Sequence, residues 1–181
     1  MLVSLLCLLL LSACQPGSGL PEMPAAASGT YRLGPGDVVR LITYGEEQLT
    51  GEFRVSDSGS IALPLVGTVA ASGLSPDALA ARVSQVLVRA DVLRTPSVSA
   101  EVVAYRPIFV LGEVSKPGQY PYQPGMTVVT AAAVAGGFTY RAVQGYVSIV
   151  RTKNGVAVEG RANRQDFILP GDVITVFERR F

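Results

Sequence analysis

"LGPGDVVRL", residues 33–41, returns in shortened form as "ILPGDVI" at residues 168–174. Pro-Gly presets a tight turn, because proline fixes φ and glycine accepts the positive φ that follows. Each copy then runs into alternating apolar residues, the period of a strand. Two readings of Asp37 and Asp172 follow: a pair of acids doing chemistry, or the polar ends of two similar turns. On the second reading Gly36, Asp37, Gly171 and Asp172 are structural turn residues.

Composition weighs against chemistry. The chain has 181 residues, 15 basic against 14 acidic, so no charge excess points to nucleic acid. Nineteen Gly and twelve Pro in a chain only 16% charged indicate many turns and a β-rich body. Histidine is absent, which removes Ser-His-Asp catalysis, Cys-His pairs and every His-bearing metal site. The two cysteines, Cys7 and Cys14, both lie in the first fourteen residues, so no disulfide or Cys-metal cluster staples the body. An enzyme is the lesser reading, and no cofactor or metal is expected. A carboxylate-only glycosidase would need two acids roughly 5 to 9.5 Å apart, and no pair is singled out for that.

"MLVSLLCLLLLSAC" is too short to span a bilayer, which takes about twenty residues, and suits a signal-peptide core. Leu11-Ser12-Ala13-Cys14 resembles the lipobox of bacterial lipoproteins, which implies that residues 1–13 are removed and Cys14 is acylated. There is no Lys or Arg ahead of the apolar run, an absence that points to a true start upstream. Gln15 after the cysteine implies sorting to the outer membrane by the lipoprotein rule. Residues 14–29, "CQPGSGLPEMPAAASG", read as a flexible tether.

From Tyr31 the pattern is that of strands. "DVVRLITY" has two largely apolar rows, as in a strand covered on both sides. Asp57-Ser58-Gly59-Ser60 is a turn between short strands. Residues 75–93 form the clearest helix, with Ser75 as N-cap, Pro76 at the first position and Asp77 in the first turn. Leu79, Val83, Val86, Leu87 and Ala90 make its buried stripe, while Arg82, Gln85 and Arg89 face solvent. "SVSAEVVAY" is another strand, with Val98, Ala100, Val102 and Ala104 on one side.

A second unit opens near Arg106, with a strand, the Lys116-Pro117-Gly118 turn and a second short strand. A small-residue helix follows from Thr127 to Ala135, ended by Gly136 and Gly137. Asn154-Gly155 marks a hairpin, and the second Pro-Gly-Asp opens the last strand. Gly136-Gly137-Phe138 is no phosphate-cradling loop, because its glycines end a helix instead of preceding one.

"YRLGPGDVVRLITYGEEQLTGEFRVSDSGSIALPLVGTV" resembles the N-terminal domain of the Wza-like outer-membrane polysaccharide export proteins. "LGEVSKPGQYPYQPGMTVVTAAAVAGGFTYRA" is similar to that family's soluble-ligand-binding β-grasp (SLBB) domain, and "LPGDVITVFERRF" to its usual close. The resemblance implies an α+β fold of two small β-rich domains: 30–104 export domain, 105–160 SLBB domain, and 161–181 a strand segment closing the fold. It implies a periplasm-facing homo-oligomeric ring, lipid-anchored to the outer membrane, through which capsular or secreted polysaccharide leaves the cell. The implied partners are an inner-membrane copolymerase or tyrosine kinase and a separate outer-membrane barrel protein. The fullest members continue into a membrane-crossing amphipathic helix, whereas only "ERRF" follows Phe177 here. The acyl chains are therefore expected to hold the ring beneath the membrane; alternatively the ring only docks the copolymerase.

Contacts with polysaccharide or a neighbouring subunit are expected from Arg40, Arg54, Tyr120, Tyr122 and Tyr140. Exposed strand faces explain the arginines equally well. The tyrosines Tyr105, Tyr120, Tyr122, Tyr140 and Tyr146 could stack on sugars, though mixed core and interface packing is the simpler reading. Ala131 to Ala135 and the Tyr120–Tyr122 strand are the surfaces expected near a neighbour. A monomeric periplasmic glycan-binding module is the alternative function.

Overall fold

A computed structural model describes residues 16–25, 31–153 and 155–179. The signal peptide and Cys14 fall outside the described residues, as does Asn154 of the expected hairpin turn. The fold is α+β. The described residues divide into two compact units: one takes 31–107 with Pro121–Gln123, the other 16–25 with Ile108–Tyr120 and the described part of 124–179. They are called the N-terminal and C-terminal units below.

The N-terminal unit holds a three-stranded antiparallel sheet in the order β2-β1-β5, from β1 Val38–Thr43, β2 Gly51–Arg54 and β5 Val98–Ala104. A separate antiparallel hairpin joins β3 Ser60–Leu63 to β4 Gly67–Ala70. The Ser58-Gly59 turn therefore links strands of different sheets. Strand β1 is covered on one side only, contrary to its two apolar rows. Val39, Leu41 and Thr43 are buried, while Ile42 on the other row is 47% exposed. The β1–β5 register shifts between Val38, opposite Ala104, and Val39, opposite Val102. That bulge absorbs Val103 and puts Ala104 out of phase with Val102, so Ala104 is exposed although the alternation places it inside.

Helix α1, Pro76–Arg89, starts where the capping signals indicate: Ser75 Oγ accepts from the Ala78 N–H at 3.1 Å. Its Leu79, Val83 and Leu87 are fully buried with Val39, Leu41 and Ile61 in one core. Each such side chain contributes about 1.5–3 kcal/mol relative to exposure. The helix stops before residue 93 because Asp91 adopts the left-handed conformation at φ 55°, and Val92 N–H returns to Leu87 O at 3.0 Å. This is a Schellman ending with Asp where glycine usually serves, and it leaves Ala90 exposed at the C-cap.

The C-terminal unit is a five-stranded mixed sheet in the order β7-β6-β10-β8-β9. Its strands are β6 Ile108–Gly112, β7 Gly118–Tyr120, β8 Tyr146–Lys153, β9 Val156–Asn163 and β10 Val173–Val176. The last strand is the middle of the sheet, parallel to β6 and antiparallel to β8, so residues 161–181 are integral to this unit and more than a closing segment. Helix α2, Val128–Val134, begins in a Thr127–Thr130 capping box and buries Val128, Ala131 and Ala132. Ala131, Ala132 and Ala135 thus belong to the core with Ile108, Val110, Ile149 and Ile174, while Ala133 and Val134 are exposed.

Residues 16–25 correct the flexible-tether reading. Met23 N–H donates to Arg161 O at 2.7 Å, Arg161 N–H to Pro21 O at 2.7 Å, and Glu22 pairs in parallel with Arg161. These bonds satisfy the outward N–H and C=O of Arg161 on the outer edge of β9, which would otherwise be unpaired there. Gly160 makes the approach feasible, since a Cβ there would lie 2.9 Å from Met23 Cα.

Candidate functional site

The repeated Pro-Gly-Asp segments fold into the same device. In both turns the Asp N–H returns to the carbonyl three residues earlier at 3.1 Å, Asp37 to Gly34 and Asp172 to Leu169. Gly36 and Gly171 sit between at φ 94° and 86°, the type II pattern with Pro before Gly. The carboxylate then accepts the first residue's N–H, Gly34 to Asp37 Oδ2 at 2.8 Å and Leu169 to Asp172 Oδ2 at 2.7 Å. Each turn launches the middle strand of its sheet, β1 or β10.

Neither acid is free. Asp37 is 0% exposed and Asp172 1%. Arg106 meets Asp37 through its backbone N–H on Oδ1 at 2.9 Å and Nη1 on Oδ2 at 3.2 Å. Arg151 grips Asp172 with two bonds, Nε to Oδ1 at 2.9 Å and Nη2 to Oδ2 at 2.7 Å. A buried carboxylate needs such a partner, since its desolvation is otherwise uncompensated. The two acids belong to different units, and every carboxylate oxygen is already engaged. They act as locks on turns.

Around Asp37 the lock extends to an aromatic group. Tyr31 donates its hydroxyl to Asp37 Oδ2 at 2.5 Å, and its ring stands edge-on to Tyr105 at 4.9 Å, which in turn meets Tyr122 at 5.5 Å. Burial pushes the Tyr31 hydroxyl well above its ordinary pKa, and the hydrogen bond to the Asp37 carboxylate pushes the same way. Tyr122 reaches this stack because residues 121–123 pack in the N-terminal unit.

The expected contact residues do not gather. Arg40 lies between Glu52 at 2.8 Å and Glu101 at 2.9 Å, so this exposed spot carries two negative charges for one positive. Arg54 is exposed and donates to Gly36 O at 3.1 Å. The tyrosines split between units: Tyr105 and Tyr122 join Tyr31, Tyr120 donates to Lys116 O at 2.5 Å, and Tyr146 lies against Phe177. Tyr140 is 84% exposed. Gly118 begins β7 opposite Val110. Gly136 and Gly137 close α2, their N–H groups returning to Ala133 and Ala132 at 3.0 and 2.8 Å.

Arg106, Arg151 and Tyr31 are what sequence reasoning missed. The lock partners lie 69 and 21 residues from their acids, so no spacing rule pairs them. The signal available was indirect: an acid between an apolar turn and an apolar strand must be buried, and then needs a cation. Among the described residues no three His, Cys, Asp or Glu side chains gather as a metal site would require. A shallow groove of about 460 Å³ beside Ser84, Gln85, Val88, Arg89 and Pro96 runs along the outer side of α1.

The fold and these locks define a class: two small α+β units, each with the middle strand of its sheet launched from a buried Pro-Gly-Asp turn held by an arginine. Comparison with known proteins makes it specific. Residues 25–103 match the polysaccharide biosynthesis/export protein family, and residues 107–162 match the SLBB domain. The chain belongs to the polysaccharide export family and carries one matched SLBB domain. It is 36% identical over 124 residues to the exopolysaccharide production protein ExoF of Rhizobium meliloti, covering 62% of this chain and 29% of that protein. It is 28% identical over 141 residues to the EPS I polysaccharide export outer membrane protein EpsA of Ralstonia nicotianae, covering 63% of this chain and 36% of that protein. The EpsA of Ralstonia solanacearum is 27% identical over 138 residues, covering 62% of this chain and 36% of that protein. The alignments thus span about a third of each relative's length. The family is one of transport and not an enzyme class. No helix among the described residues is long and apolar enough to cross a membrane, which leaves strands unaddressed.

Proposed function

We propose that the chain is a non-catalytic, lipid-anchored component of an export channel for capsular or secreted polysaccharide, facing the periplasm from the outer membrane and closing into a homo-oligomeric ring. The observation that carries this reading is the order of parts: a lipobox ending at Cys14, then the export domain, then the SLBB domain. EpsA, whose name places it in the outer membrane, supports the location. Closure requires head-to-tail contacts whose rotation completes a circle. The polymer passes the ring; an inner-membrane copolymerase or kinase feeds it, and a separate barrel protein supplies the pore. Arg40, Arg54, Tyr120, Tyr122 and Tyr140 remain the proposed contacts to polymer or neighbour; at Arg40 the flanking Glu52 and Glu101 favour a neighbouring subunit or a neutral glycan over an acidic polymer.

Two measurements test the reading. Labelled palmitate should enter the wild type and not Cys14→Ser; equal labelling defeats the anchor. The purified lipoprotein in mild detergent should run as a closed oligomer by ultracentrifugation. Ala133→Arg, at an exposed position of α2, should reduce it to monomers with unchanged circular dichroism. A wild type that is monomeric at every concentration would favour a glycan-binding module instead.

A further inference from the structure

One end of the sheet in the C-terminal unit is marked by the start of β8 and the finish of β10. Phe177, just past β10, lies 5.9 Å from the Tyr146 ring, and a Cβ on Gly17 would fall 2.6 Å from its ring carbons. Tyr146 donates its hydroxyl to Pro16 O at 2.9 Å. Residues 16–23 therefore form a strap that starts at this sheet end and continues to the edge of β9. Cys14 precedes Pro16 by two residues, which an extended chain spans in at most about 7 Å. Acyl chains on Cys14 must then enter a bilayer beside Tyr146 and Phe177.

The surface at that end suits the neighbourhood. Val143 N–H bonds to Phe177 O at 2.8 Å and Arg179 N–H to Arg141 O at 2.7 Å, so residues 141–143 run alongside 177–179. Tyr140, 84% exposed, projects just ahead of this pair. Arg141 pairs with Glu178, and Arg179 Nε donates to Ala142 O at 2.8 Å. Thr139, one residue before Tyr140, donates its hydroxyl to the Glu113 carboxylate, so the two guanidinium groups stand against two carboxylates and the exposed tyrosine is what distinguishes this end. Tyrosine and arginine are the residues that settle at headgroup level, the ring half in the apolar boundary and the cation near lipid phosphates.

We propose that this end of the sheet, with Tyr140, Arg141 and Arg179 around the start of the strap, rests on the headgroup layer of the membrane that holds Cys14. Thr152, near the far end of β8 and about 20 Å along the strand at its rise per residue, faces away from the lipid. The inference rests on acylation of Cys14, so its test reads both. Tyr140→Cys and Thr152→Cys, both at exposed positions, each give the mature lipoprotein one reactive thiol, because Cys7 lies in the signal segment and acylation occupies Cys14. Each variant is labelled with an environment-sensitive fluorophore and placed in vesicles of phosphatidylethanolamine and phosphatidylglycerol bearing a headgroup nitroxide. With palmitate incorporated, quenching several-fold stronger at position 140 than at 152 supports the assignment. Palmitate incorporated but quenching equal or reversed overturns it and leaves the anchor standing. No palmitate defeats the anchor and the inference together.

Discussion

Asp172→Asn is the sharpest probe of the lock that launches the middle strand of the C-terminal sheet. The carboxylate is 1% exposed, holds Arg151 through two bonds of 2.9 and 2.7 Å, and accepts the Leu169 N–H at 2.7 Å. The amide keeps the size but removes the charge, leaving the guanidinium with its side chain 13% exposed and no counter-ion at this position. Removing one partner of a buried pair costs about 3–5 kcal/mol. For a domain of this size the lower figure corresponds to a fall in Tm of roughly 12 °C or more. Because two units can unfold separately, the assay should be local: hydrogen exchange by mass spectrometry over β8 and β10, with β1 and β5 as internal control. Asp172→Asn should accelerate exchange at Ile149 and Ile174 and leave Leu41 unchanged. Asp172→Asn with Arg151→Met should cost about 2 kcal/mol less than the sum of the single variants, since the stranded charge is gone. A loss under about 1 kcal/mol for Asp172→Asn, or strict additivity in the double variant, would refute the lock.

The other expectations are local. Ser75→Ala removes the acceptor of the Ala78 N–H and should lower stability of the N-terminal unit by about 1 kcal/mol, read by thermal circular dichroism. Gly160→Val forces a side chain onto the backbone of Met23 and should abolish exchange protection of the Met23 amide while β10 stays protected. Tyr31 holds its proton in the folded protein at pH values where the unfolded chain releases it. Its contribution is therefore complete below about pH 10 and declines as pH rises beyond that, because the unfolded state is then favoured by ionisation. Urea midpoints should fall between about pH 9 and 11 in the wild type and fall less in Tyr31→Phe.

Much of the fold was legible because its signals are local. Ser75-Pro76 starts α1, the Thr127 cap and Gly136 bound α2, and Pro-Gly-Asp announces β1 and β10. Where the signal was long-range, the reading failed. The bulge at Val38 reverses the face of Ala104, and only pairing across β1 and β5 decides that. Asp91 ends α1 in a conformation usually left to glycine, so the stop at Arg89 carries no local mark. The strap looked like a linker because Pro, Gly and Ala offer little to bury; its order comes from the backbone of a strand that lies well over a hundred residues later. The acids were visible, but their cations are set by tertiary proximity.

The strap also sets an order of events. Its Pro16 carbonyl meets a hydroxyl 130 residues further on, and the Pro24 carbonyl just after it a guanidinium 127 further on. The entire N-terminal unit is thus enclosed in the loop that these contacts close. Chain closure over such a length has a high entropic cost, and few bonds offset it. The strap should therefore dock last, after the second sheet exists, and open first. During synthesis from the N-terminus, the first of these segments to be made waits longest for its partner. While it waits, the outer edge of β9 is an open template that another strand can fill.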